Sequence, residues 1–171
     1  MLKNRYYLIT LAVLVLDHIT KWAVWSHMGM HQKIDVIPDY LRLTRVHNSG
    51  VAFSLFAETQ SVWKPYILAG MAIVAVIVIL VYSSRISLER RLLQIALAVT
   101  MGGILGNFFD RIAHGYVVDF IELHFKDLFY WPTFNIADSA ITVGIALLLI
   151  DTVKNPEAEN EPQSQVPGKI E

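Results

Sequence analysis

The sequence predicts an all-α integral membrane protein, a bundle of four transmembrane helices with a small extracytoplasmic β element and a membrane-hugging outer loop. Three observations carry that expectation. The 171 residues are 54% hydrophobic and only 17% charged, too apolar for an ordinary soluble domain of this size. Four segments match the roughly 20 apolar residues that cross about 30 Å of hydrocarbon as a helix, the single segment able to satisfy its own backbone there. Two long connections, 26–64 and 112–135, fall on the same side of the bilayer once four spans alternate.

The first span, 6–25, contains Asp17 and Lys21. Lys3 and Arg5 ahead of an apolar run also describe a cleavable secretory signal, but no small-residue cleavage site follows. The run continues to Trp22 and Trp25 instead, so it is an uncleaved span with tryptophans at its outer boundary. In the first outer connection, Leu41 and Leu43 alternate with Arg42 and Thr44, which predicts short strands. The second span, 65–82, has no charge, and Pro65 suits a first helical turn. Arg85, Arg90 and Arg91 crowd the short connection 83–91. With Lys3, Arg5 and Lys154 they predict cytoplasmic termini, against a weaker pull from Lys33, Arg42, Arg45 and Lys64 in the long outer stretch.

The third span, 92–109, is uncharged and carries Gly102, Gly103 and Gly106, small residues that admit a neighbouring helix. The connection 112–135 is rich in aromatics, Phe120, Phe125, Phe129, Tyr130 and Trp131, which suit the headgroup boundary. The fourth span, 136–153, is apolar from Asp138 to Asp151. Residues 1–153 thus form a single membrane-embedded domain. The tail, 154–171, holds Glu157, Glu159, Glu161 and three prolines, too polar to build a core, and is expected to be disordered in the cytoplasm.

Several chemistries find no support. A net charge of −1 with scattered basic residues offers no field for nucleic acid. Without cysteine there is no disulfide, thiolate nucleophile or cysteine metal site. None of the six histidines forms a His-Glu-x-x-His zinc motif, and no glycine-rich phosphate loop follows a strand. A serine route would have to pair Ser49 or Ser54 with Lys21, outside any recognisable setting for one.

Polar clusters at the edges of the spans remain. Asp17 and Lys21, four apart, share a helix face, as a structural ion pair or as substrate-positioning groups. Asn107 and Arg111 lie one turn apart beside Asp110, as a structural network or as groups that hydrogen-bond a substrate backbone. Asn48 and Gly50, with Ala52 and Phe53, can make a turn. Asn135 and Asp138 have the spacing of an N-cap and its third helical residue. Asp119 is an acid embedded in Val117, Val118, Phe120 and Ile121. An ionisable group at membrane depth usually faces a partner or a water-filled cavity, so Asp119 and Asp138 together point to a working site.

In order, Asp17-x-x-Thr20-Lys21, Asn48-x-Gly50-x-Ala52-Phe53, Gly102-Gly103-x-x-Gly106-Asn107-x-x-Asp110-Arg111, Val118-Asp119-Phe120 and Phe134-Asn135-x-Ala137-Asp138 closely resemble the bacterial lipoprotein signal peptidases, the type II signal peptidases. The match runs from the first span to the last. The resemblance implies an aspartic endopeptidase of the cytoplasmic membrane that removes signal peptides from prolipoproteins before a diacylglyceryl-modified cysteine. It carries the catalytic pair onto Asp119 and Asp138, and makes Asn48, Gly50, Asn107, Asp110, Arg111 and Asn135 supporting or substrate-contacting positions, with Asp17 and Lys21 beside them. It also implies inhibition by the cyclic peptide globomycin.

Two carboxyls placed too close for both to ionise share one proton, so one can activate water while the other hydrogen-bonds the scissile carbonyl. Which acid holds the proton is not fixed by sequence, because the two titrate as a unit. No covalent acyl-enzyme, metal or cofactor is required, and none is expected. The rival expectations are a small ion- or proton-coupled transporter, whose acids would more usually lie near the bilayer midplane, and a scaffold whose polar clusters only lock helices together.

Overall fold

The computed structural model describes residues 3–50, 63–126 and 128–155; the expectations for Ala52, Phe53, Ser54 and the tail from residue 156 lie outside the described residues. Four helices, α1 (Lys3–His27), α2 (Lys64–Arg85), α3 (Arg91–His114) and α4 (Ile136–Lys154), are each long and apolar enough to cross a bilayer. They coincide with the four expected spans, extended by a few residues at their ends. Pro65 lies in the first turn of α2, where its missing N–H costs no helical bond. Gly115 ends α3 in a left-handed conformation, φ 79°, with its N–H donating to Arg111 O at 3.0 Å.

α3 is the central helix, packed against α1, α2 and α4. Its glycines set how closely the others approach. A Cβ on Gly106 would stand 2.5 Å from Asp17 Oδ2 and 3.2 Å from Ala137 Cβ, and one on Gly103 would collide with the Ala137 carbonyl oxygen. Gly106→Ala is therefore expected to destabilise by about 1–3 kcal/mol through overpacking, read as a lower unfolding midpoint in detergent. By contrast, α2 buries little besides Ala69 and turns Tyr66, Ile67, Met71, Val74 and Val78 outward, the pattern of a helix solvated by lipid.

Between the helices lie β1 (Lys33–Ile37), β2 (Leu41–Asn48), β3 (Val117–Phe125) and β4 (Phe129–Tyr130), an antiparallel sheet in the order β1-β2-β3-β4. The expected strands of the first connection are present as β1 and β2. β3, the long strand of the second connection, has no alternation to betray it, because Val117, Val118, Asp119 and Phe120 are all buried. Phe120 accordingly departs from its expected place at the headgroup boundary and packs with Val24, Met28 and Val118, whereas Phe125, Phe129, Tyr130 and Trp131 are exposed.

Pairing of β2 with β3 draws both long connections to one end of the bundle and sets Val46 opposite Asp119 and Asn48 opposite Val117. Arg45 fastens the sheet to α1 by donating from Nη1 to the carbonyls of Trp25 (2.9 Å) and Met28 (3.0 Å), which lie at the helix end where such oxygens lack partners. The opposite end is closed separately, by an ion pair between Arg90 and Asp151 and by buried Gln94, whose Nε2 donates to Ser83 O at 3.1 Å.

Candidate active site

Asp119 projects from β3, and Asp138 stands in the first turn of α4. Asn135 joins them. Its Nδ2 donates to Asp119 Oδ1 at 2.7 Å and its backbone N–H to Asp138 Oδ2 at 3.2 Å, while its Oδ1 accepts from Asp138 N at 2.9 Å. The expected N-cap is thus a full capping box, and the spare amide hydrogens of the cap reach across to the second acid. The other Asp119 oxygen, Oδ2, accepts from Asn48 Nδ2 at 2.8 Å, and Asp138 Oδ1 accepts from Asn107 Nδ2 at 2.8 Å. Asp119 is almost fully buried, and Asp138 is only partly so.

Beneath the acids lies a charged frame. Lys21 Nζ has three donors and three acceptors to match: Asp17 Oδ2 at 2.7 Å, Asp110 Oδ2 at 2.9 Å and Asn107 Oδ1 at 2.9 Å. Asp17 is 0% and Lys21 3% exposed, so this cluster is shielded from water and depends on being complete. Each of its carboxylates also grips a backbone amide. Asp17 Oδ1 accepts from Ala137 N at 2.9 Å, and Asp110 Oδ2 accepts from Val118 N at 3.3 Å. Ala137 immediately precedes Asp138, and Val118 immediately precedes Asp119, so one lysine-centred frame fixes the main chain beside both acids.

Arg111 closes the outer side by donating from Nη1 to Asn107 O and from Nη2 to Gly50 O, both at 3.1 Å. Gly50 in turn donates its N–H to Asn48 Oδ1 at 2.8 Å, which turns the Asn48 amide toward Asp119. Of the neighbouring acids Arg111 interacts most strongly with Asp138, then with Asp119 and Asp110. Burial, reinforced by the nearby Asp138 charge, pushes the Asp119 carboxyl up to about 7, against the opposing hydrogen bonds from Asn48 and Asn135.

All ten positions singled out in the sequence, Asp17, Lys21, Asn48, Gly50, Asn107, Asp110, Arg111, Asp119, Asn135 and Asp138, therefore lie in one connected network. What sequence reasoning missed are the two main-chain amides of Val118 and Ala137, which carry no side-chain signal at all. A buried acid and a partly exposed acid thus share the amides of Asn135.

The model of a protein family described as Signal peptidase (SPase) II matches residues 9–154. The chain belongs to the signal peptidase II family. The lipoprotein signal peptidase of Ectopseudomonas mendocina is 39% identical over 154 residues, which cover 90% of each protein, and that of Pseudomonas fluorescens is 44% identical over 147 residues, 86% of each. A solved structure described as a bacterial membrane enzyme superposes with a TM-score of 0.80 at 29% identity, covering 95% of both chains. As a member of the signal peptidase II family this multi-pass membrane protein is an enzyme, a hydrolase acting on peptides.

Proposed function

We propose that this signal peptidase II removes signal peptides from diacylglyceryl-modified prolipoproteins, cutting before the lipidated cysteine with Asp119 and Asp138 as an aspartic pair. The observation that carries the reading is the bridge through Asn135, which ties two carboxyls distant in sequence to one asparagine. Four carboxyls face two cations in the network, Lys21 and Arg111, so a proton held on the pair relieves part of the excess negative charge.

In the proposed reaction Asp119 holds that proton and Asp138, the acid closer in field to Arg111, is ionised. Asp138 takes a proton from a bound water as the water oxygen bonds to the scissile carbonyl carbon. Asp119 gives its proton to the carbonyl oxygen, forming a neutral gem-diol. As the carbon–nitrogen bond breaks, Asp138 passes its proton to the cysteine nitrogen and a gem-diol hydroxyl returns a proton to Asp119, leaving a carboxyl-terminated signal peptide and a free cysteine amine. No covalent enzyme intermediate forms.

The arginines at the opposite end of the bundle, Arg85, Arg90 and Arg91, favour that end as cytoplasmic, which puts both termini inside and the acids near the outer face of the inner membrane. Family membership, and the position of the acids at the sheet end of the bundle, favour hydrolysis over ion or proton transport. Globomycin is the expected inhibitor. Incubating the purified protein with a diacylglyceryl-modified precursor in lipid tests the reading, the expected product being a shortened lipoprotein by mass spectrometry and the contrary result an intact precursor.

Further outcomes are expected for pH and for Arg111. With the Asp119 proton required, kcat/KM falls as pH rises through about 7. Stability has the same sign: the Asp119 carboxyl, ordinarily at 3.8, binds its proton more tightly when folded, so its contribution is complete below that value and is lost as pH climbs through about 7. Arg111→Ala removes a charged donor to two carbonyls and lowers kcat/KM by about ten- to hundredfold. Arg111→Lys restores only part, lacking the planar fork.

A further inference from the structure

A groove of about 430 Å³ lies beside the acids, between the end of β2 and the segment that leads from β4 to α4. Its walls include His47, Asn48, Glu122, Tyr130, Trp131 and Thr133, and among the described residues the lining comes from the two sheet-end connections and not from a membrane span. Its place among those connections suits polypeptide lying outside the spans. Asn48 belongs both to this wall and to the Asp119 hydrogen bond, so the groove begins where the acids end.

We propose, on the basis of the prolipoprotein peptidase reading above, that this groove binds the substrate segment on the C-terminal side of the lipidated cysteine, holding it as an extended chain. Its walls are built for that. On one side the His47 ring stacks on Tyr116, with centroids 3.8 Å apart and planes 13° from parallel. On the other, the Arg42 guanidinium lies 5.6 Å from the Tyr130 ring centroid and braces that ring beside Trp131. The floor acid, Glu122, is matched by Arg42 Nε at 3.2 Å, so it does not present an uncompensated charge that would select one side chain. Aromatic walls offer contact area to any chain laid along them, and a paired floor acid adds no net charge to select a basic residue. The groove thus responds to the length of the downstream segment and tolerates its sequence.

The experiment compares two diacylglyceryl-modified peptides with the same signal segment, one ending at the cysteine as an amide and one carrying four further small polar residues. The native protein is expected to cut the longer peptide with about five- to tenfold higher kcat/KM, mostly through KM, the size of one or two aromatic contacts. In Trp131→Ala, which removes a wall, and in Thr133→Trp, which fills the space, the ratio between the two peptides falls below about twofold. Because the readout is a ratio measured on one preparation, loss of folded enzyme cancels. Equal efficiency on both peptides by the native protein, or an unchanged ratio in both variants, overturns the groove assignment alone. Failure of the native protein to cut either peptide overturns the peptidase reading and this inference with it.

Discussion

Asp138→Asn and Asp119→Asn each lower turnover of a lipidated precursor by on the order of 10³–10⁴-fold, the largest effects expected in this protein. The two substitutions fail for different reasons. At position 138 an amide cannot take the proton from water, and its NH₂ must face one of two donors, Asn107 Nδ2 or the Asn135 N–H, so the capping box loosens as well. At position 119 an amide resembles the protonated acid in charge but has no acidic proton for the scissile carbonyl. Its NH₂ likewise meets a donor, Asn48 Nδ2 or Asn135 Nδ2, so Asp119→Asn also loses some stability, but it is expected to abolish the decline in stability expected of the native protein as pH rises through about 7. Activity by mass spectrometry and unfolding midpoints across pH separate the two variants. Retention of near-native turnover by either one would remove the aspartic mechanism.

Lys21→Met costs about 3–5 kcal/mol, because it leaves Asp17 and Asp110 facing each other in a buried site with no cation between them. The damage extends to catalysis. Both carboxylates hold main-chain amides next to the acids, so their displacement shifts Val118 and Ala137 and with them Asp119 and Asp138. Neutralising the stranded acids in the same chain, as Asp17→Asn and Asp110→Asn, recovers much of the unfolding midpoint while activity stays low. Thermal melts of the single and triple variants in detergent check this, and additive losses would argue against a coupled frame.

The spans were legible because lipid exposure leaves an unambiguous mark. In α2, nearly every position is apolar and faces outward, so no tertiary knowledge was needed to find it. β3 was not legible, since a strand buried on both faces lacks the period-two signature, and Asp119 stood out only as an acid among apolar neighbours. Spacing of four revealed the Asp17–Lys21 pair, but nothing local could announce that Lys21 also meets Asn107, 86 residues away, or Asp110. Asn135 was visible as a helix cap. Its second task, bridging two acids, arises only when pairing of β2 with β3 brings Asp119 over the start of α4. Phe120 illustrates the same limit, an aromatic in an interfacial-looking run whose neighbours in space are Val24 and Met28.

The contact between Asp17 and the Ala137 amide spans 120 residues, from the first helix to the opening turn of the last. During biosynthesis the ribosome must finish nearly the whole polypeptide, and the final segment must insert, before that carboxylate finds its partner and the two acids can come together. The first and last helices are therefore locked to each other at the very end of assembly, once α4 is in place.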